Sequence, residues 1–130
     1  MRIATFLCAV VAAAAILSCG PSGALNVTTV QLGRSLNSDN SVGTFSTRFK
    51  PDETVYAAAL TDNAGAGTLK ARWTFRGRQI SEEAKDVSYR EPAATEFHLR
   101  YAGGLPPGDY TVEIQFDGMP VGSRDFVVAP

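Results

Sequence analysis

The sequence predicts an all-β domain, a two-sheet antiparallel sandwich of seven or eight short strands. Three observations carry that expectation. Leu69-Lys70-Ala71-Arg72-Trp73-Thr74-Phe75-Arg76 alternates apolar with polar residues without a break, and Tyr110 to Asp117 does the same. This is the period of a half-buried strand. Turn signals recur between such stretches, among them Arg76-Gly77, Pro106-Pro107-Gly108-Asp109 and Asp117-Gly118. No stretch shows the three-to-four-residue repeat of an amphipathic helix. Trp73 is the one tryptophan of the 130 residues. It falls on the apolar side of its strand and is expected to plug the core.

The first residues stand outside that domain. Met1-Arg2 is a short positive segment, and Ile3 to Leu17 is apolar and uncharged. An apolar run of that length is too short for a membrane span, which needs about 20 residues. It has the form of an export signal. The run ends Ile16-Leu17-Ser18-Cys19-Gly20. Here the chain resembles bacterial lipoprotein signals, in which a small residue precedes an invariant cysteine. Ser18 and Cys19 match that pattern well, Ile16 and Leu17 more loosely. The resemblance implies cleavage after residue 18 and diacylation of Cys19, with residues 19–24 as a lipidated tether and 25–130 as the folded domain. Cys8 would leave with the signal, so the mature domain has no internal disulfide partner for Cys19. Two or more acyl chains give stable anchoring, at about 0.8 kcal/mol for each buried methylene. The absence of aspartate after Cys19 favours the outer membrane in a Gram-negative host.

Leu25 to Leu32, rich in Val and Thr, is expected as an edge strand. Gly33 to Gly43 is polar and reads as a loop. Phe45 to Lys50 alternates as a short strand that Pro51-Asp52 ends. Val55 to Leu60 follows, with Val55, Ala57 and Ala59 on one face. Thr61 to Gly67 reads as a loop. Its Gly65-Ala66-Gly67-Thr68 lacks the lysine and following helix that a phosphate-binding loop requires. After the Trp73 strand and the Arg76-Gly77 turn, Glu82 to Arg90 is charged and poorly periodic, and is expected to be irregular with a short strand around Val87 to Tyr89. Thr95 to Tyr101 places Phe97, Leu99 and Tyr101 inward. Asp117-Gly118 has the signature of a two-residue type I′ hairpin turn. The strand from Val121 to Val128 changes parity, which predicts a bulge near Gly122. The expected core is Phe45, Phe49, Val55, Leu60, Leu69, Trp73, Phe75, Phe97 and Leu99, with Tyr110, Val112, Ile114, Phe116, Phe126 and Val128.

Residues 25–130 resemble immunoglobulin-like domains. Trp73 stands where that family keeps its core tryptophan. Pro107-Gly108-Asp109-Tyr110-Thr111-Val112 looks like the family's tyrosine corner. The resemblance implies that Ala57 or Ala59, together with Val112, occupies the places of the two disulfide cysteines. It specifies a fold and leaves the function open.

Little in the chain points to catalysis. His98 is the only histidine and is expected to face solvent between Glu96 and Arg100. No serine, histidine and acid fall in a triad pattern. His98, Met119 and Cys19 have no metal-ligand spacing, and Glu82, Glu83 and Asp86 match no calcium loop. No metal site and no small-molecule cofactor are expected. Of the 12 basic residues, Arg2 lies in the signal, and the remainder face 13 acidic ones. That balance argues against nucleic acid as a partner. Lys70, Arg72, Arg76 and Arg78 form a basic row. It is expected either to pair across strands with Glu113 and Asp117 or to dock an acidic partner or lipid headgroups. Tyr56, Tyr89 and Tyr101 would mark a recognition surface if they met in one patch. The expected function is that of a lipid-anchored, non-catalytic envelope protein that binds a protein or glycan, in adhesion or assembly. Loops Gly33–Gly43, Thr61–Gly67 and Gly103–Asp109 are its candidate contacts. The alternative is an accessory or inhibitor domain for an enzyme such as a protease.

Overall fold

The computed structural model describes residues 23–130. The expected signal segment, Cys19 and most of the expected tether lie outside the described residues. Eight strands are present: β1 (Val27–Gly33), β2 (Arg48–Phe49), β3 (Val55–Thr61), β4 (Gly65–Phe75), β5 (Arg78–Tyr89), β6 (Ala93–Leu99), β7 (Gly108–Phe116) and β8 (Met119–Val128). They form one sheet of order β1-β3-β6 and a second of order β2-β8-β7-β4-β5. All pairings are antiparallel except the two-residue contact of β2 with β8.

The strands that alternate cleanly lie at the centre. β4 pairs with β7 so that Trp73 lies opposite Val112 and Ala71 opposite Ile114. All four are fully buried. Phe126 is the hub of the aromatic packing. Its ring centroid is 6.0 Å from Trp73, 5.5 Å from Phe49 and 5.0 Å from Tyr110, with the tyrosine stacked nearly parallel. Tyr110 Oη donates to the carbonyl of Pro106 at 2.6 Å, which is the tyrosine corner. Ala57, Ala59 and Val112 sit in the same cluster as Trp73 with no sulfur among them. Trp73 Nε1 has no hydrogen-bond partner among the described residues.

The turns follow their sequence signals. Asp117 and Gly118 both have positive φ, as do Arg76 and Gly77, the backbone that type I′ hairpins require. Opposite Ile114 stands Gly122, and opposite Gln115 stands Pro120, so Val121 is the extra residue of a bulge. Gly67 is required by a close approach: a Cβ there would lie 2.5 Å from the Phe116 ring.

Several expectations need correction. Residues 82–89 are not irregular but the greater part of the longest strand, β5. β5 is the outer strand of the wider sheet. The facing sheet has only three strands, so the inward positions of β5 stay half exposed, with Ile80, Val87 and Tyr89 only partly buried against the core and Glu83 and Lys85 between them. Phe45 is 64% exposed rather than core. The chain is crossing between sheets there: Ser46 N donates to Leu32 O, and Val127 N donates to Thr47 O. Only Arg48–Phe49 of the expected short strand pairs. Tyr101 is exposed beyond the end of β6, and Leu60 and Phe75 are half-buried. The loop expected through Gly67 ends earlier, because β4 already begins at Gly65. Val30, Leu32 and Leu105 join the core instead.

The polar hairpin after β1 folds back along the outer face of the smaller sheet. Val42 N donates to Gln31 Oε1, and Leu36 bridges Val42. Ala58 points to that outer face yet is fully buried. At each edge of the smaller sheet a cation from the larger one binds a backbone carbonyl. Arg124 Nε on β8 donates to Val30 O on β1 at 2.7 Å, and Lys85 Nζ on β5 donates to Glu96 O on β6. Free carbonyls on edge strands otherwise invite pairing with other chains.

Two substitutions test this core. Trp73→Ala is expected to cost about 3–5 kcal/mol, a large part of the stability of a domain this size, and to abolish a cooperative thermal transition by circular dichroism. Tyr110→Phe keeps the ring stack and loses one hydrogen bond, a cost of about 1 kcal/mol. Its melting temperature should fall by about 4 °C.

Candidate binding surface

The described chain enters the sandwich at one end. Gly23 O accepts from Ala66 N, and Asn63 holds Ala24 and Asn26 through its side chain. The β3–β4 turn, the β5–β6 connection and the β7–β8 turn share that end, as Gly65 opposite Tyr89, Thr61 opposite Ala93 and the Asp117 to Thr68 hydrogen bond show. The tip of the polar hairpin joins them. Asp39, Asn40 and Ser41 line a groove of about 620 Å³ with Thr61, Asp62 and Tyr89. Charge at this end is acidic: Asp39, Asp62, Asp86, Glu91 and Asp117 outnumber Arg90.

The opposite end carries the β4–β5 turn, the β6–β7 loop and the segment before β3. Arg76 N donates to Asp109 O, and Leu105 N donates to Pro51 O. Basic residues gather here. Arg48, Lys50, Arg76, Arg78 and Arg100 outnumber Asp52, Asp109 and Asp125, while Arg34 is bound to Glu53 at 2.7 Å. The 11 residues of β4 separate the two ends, about 35 Å at the rise of an extended strand. The molecule is therefore polar along its length.

The basic row divides across this axis. Lys70 and Arg72 lie mid-sheet, with Lys70 paired to Glu82 at 3.4 Å. Arg72 is in register with Glu113 and with Glu82, but no ion pair forms. Arg76 and Arg78 flank the turn at the basic end, and Arg76 lies over the Phe75 ring at 5.1 Å. The expected pairing with Glu113 and Asp117 is absent for a geometric reason. Asp117 turns back to accept from Thr68 N, and Glu113 accepts from Gln115. The three candidate loops divide as well. Residues 103–109 are at the basic end, while 61–67 and the tip of 33–43 are at the acidic one.

A cleft of about 420 Å³ opens toward the basic end, lined by Thr54, Tyr56, Ser81, His98, Arg100 and Tyr101. β3 and β6 place Tyr56 opposite His98, with ring centroids 6.1 Å apart. Two of the three tyrosines thus meet. The third, Tyr89, bonds Thr95 elsewhere. Burial pushes the Tyr110 phenol upward, Tyr101 adds to that and Arg76 opposes it, which places the three at one end. His98 faces solvent as its strand parity requires, and its Nδ1 is 3.2 Å from Glu96 Oε2. No serine bonds it. No group of three or more His, Cys, Asp or Glu side chains able to hold a metal occurs among the described residues.

Glu96 is the most connected acid of this region. Burial opposes its ionisation, but hydrogen bonds from Lys85 and His98 outweigh that and hold its carboxyl below the ordinary 4.5. A carboxylate that titrates lower when folded stabilises fully above its ordinary value and loses that contribution as pH falls through the folded one. Glu96→Gln should therefore lose less melting temperature than wild type between pH 6 and pH 3, measured in thermal melts at constant salt.

No protein-family model matches the chain, and no curated protein matches it by sequence. Solved structures match it by shape. An immunoglobulin-like protein from Pseudomonas aeruginosa superposes with a TM-score of 0.57 at 10% identity, covering 85% of this chain and 100% of that one. The Pseudomonas fluorescens alkylpurine DNA glycosylase AlkC, bound to DNA containing an abasic site analog, superposes with a TM-score of 0.54 at 11% identity, covering 82% of this chain and 30% of that one. At such identities the likeness is one of fold. The described residues form an immunoglobulin-like β-sandwich. Its charge is segregated to its two ends.

Proposed function

We propose that the chain is a lipid-anchored protein of the bacterial cell envelope whose immunoglobulin-like domain binds a partner and carries out no catalysis. The observation that supports this best is where the chain enters. Gly23 lies at the acidic end, and four residues upstream stands Cys19 of the lipobox-like segment. Four extended residues reach about 14 Å. An acylated Cys19 would hold the acidic end near the membrane and leave the basic end outermost. His98 without a serine partner accords with a role in recognition.

Metabolic labelling tests the anchor. Radiolabelled palmitate should enter the wild-type protein and not Cys19→Ala, and the variant should move from the membrane fraction to the soluble one. Unlabelled wild-type protein with an uncleaved amino terminus would refute the anchor. The binding end is tested by crosslinking in intact envelopes. Reversing Arg76 and Arg78 to Glu should reduce crosslinked partner more than reversing Lys70 and Arg72.

A further inference from the structure

We infer that the cleft at the basic end is a binding site for a carboxylate-bearing oligosaccharide, an inference that rests on the domain being a recognition module. The cleft combines three kinds of group. Tyr56 and Tyr101 offer ring surfaces, and Tyr101 is 38% exposed. Thr54 and Ser81 offer hydroxyls on opposite walls, one from the segment before β3 and one from β5. Arg100 offers a guanidinium that makes no hydrogen bond or ion pair among the described residues. A planar guanidinium with free donors matches a carboxylate in a two-point contact. Hydroxyls that both donate and accept suit a polyhydroxylated ligand, and aromatic faces give apolar area with little side-chain entropy to lose. The cleft's volume of about 420 Å³ falls within the roughly 300–1,000 Å³ of small-ligand sites.

The surroundings favour the same ligand. Arg48, Lys50, Arg76 and Arg78 lie on the same end and raise the local concentration of an anionic chain. Nucleic acid fits less well. A duplex would need cations spread along many phosphates, whereas here Arg48, Lys50, Arg76, Arg78 and Arg100 gather at one end and the other end is acidic. An acidic peptide would satisfy the arginines but would leave the hydroxyls and rings of the cleft unused. The His98 imidazole is held by Glu96 and packed against Tyr56, so the wall of the cleft is set before any ligand arrives.

Calorimetric titration of the full chain in detergent micelles tests the assignment. The probes are tetragalacturonic acid, its neutral methyl ester, polyaspartate and a short DNA duplex. The acid tetramer should bind, and the ester should bind about tenfold more weakly or not at all. Arg100→Ala should weaken the acid tetramer about tenfold and Tyr101→Ala by about three- to tenfold. Both residues are exposed, so the thermal melts of the variants should match wild type. Absence of binding would overturn the assignment, as would equal or tighter binding of polyaspartate or DNA. So would an Arg100→Ala variant that binds as wild type does. None of these outcomes alters the palmitate result, so the site and the anchor fail separately.

Discussion

The two sheets of this domain are held by burial of one packed layer of aromatic rings against the smaller sheet. Residues 23–130 contain no cysteine, so no covalent bond joins the sheets where an immunoglobulin domain has its disulfide. The rings of Trp73, Phe126, Tyr110 and Phe49 all belong to the larger sheet and pack on one another, in one core cluster with Ala57, Ala59, Phe97 and Leu99 of the smaller sheet. Offset and edge-on ring pairs contribute about 0.5–1.5 kcal/mol beyond their area. They also fix orientation, because Phe126 cannot satisfy three neighbours in a second rotamer. The buried Trp73 N–H without a partner is a cost that this packing must outweigh. Tyr110 closes the arrangement by tying the β6–β7 loop to the core.

Around that centre, polar groups complete the sandwich from its edges. Arg124 and Lys85 each cross from the larger sheet to a carbonyl on an outer strand of the smaller one. Their stems cover apolar ground while their charges satisfy backbone that no strand pairs with. Lys85 also lies over the Phe97 ring at 5.1 Å and binds Glu96. The edge contact and the cleft are therefore mechanically connected. Glu96 anchors Lys85 on one side and His98 on the other.

The separation of charge follows from topology. From β3 onward successive strands run in opposite directions, so successive turns fall at alternate ends of the molecule. Charged residues clustered in alternate turns therefore collect at opposite poles. Arg76 and Arg78 flank one turn, and Asp117 sits in the turn at the other end of the following strands. Neither group says anything alone. Together with Asp39, Asp62 and Glu91 at one pole and Lys50 and Arg100 at the other, they make a molecule that presents one sign near its entry and the opposite sign about 35 Å away.

The centre of the fold was legible in the chain because burial on one face imposes period two. β4 and β7 announce themselves, and Trp73 and Tyr110 take the places that the resemblance implies. The turns at 76–77 and 117–118 and the bulge at Val121 were legible because backbone geometry restricts their residues. β5 was not, since an edge strand that overhangs a narrower sheet feels little pressure to alternate apolar with polar. Phe45 misled for the opposite reason: local alternation is real there, but the chain makes only an isolated bridge to Gly33 before it crosses to the other sheet, and the ring stays exposed. By itself, then, the sequence determined an all-β domain, its central strands and its tryptophan core, all of which depend on neighbours within a strand. Only the tertiary structure decided that Lys85 and Arg124 close the edges, that Tyr56, His98, Arg100 and Tyr101 share one cleft, and that charge divides between two ends. Those facts depend on which strands lie side by side, and pairing between distant segments leaves no period in the chain.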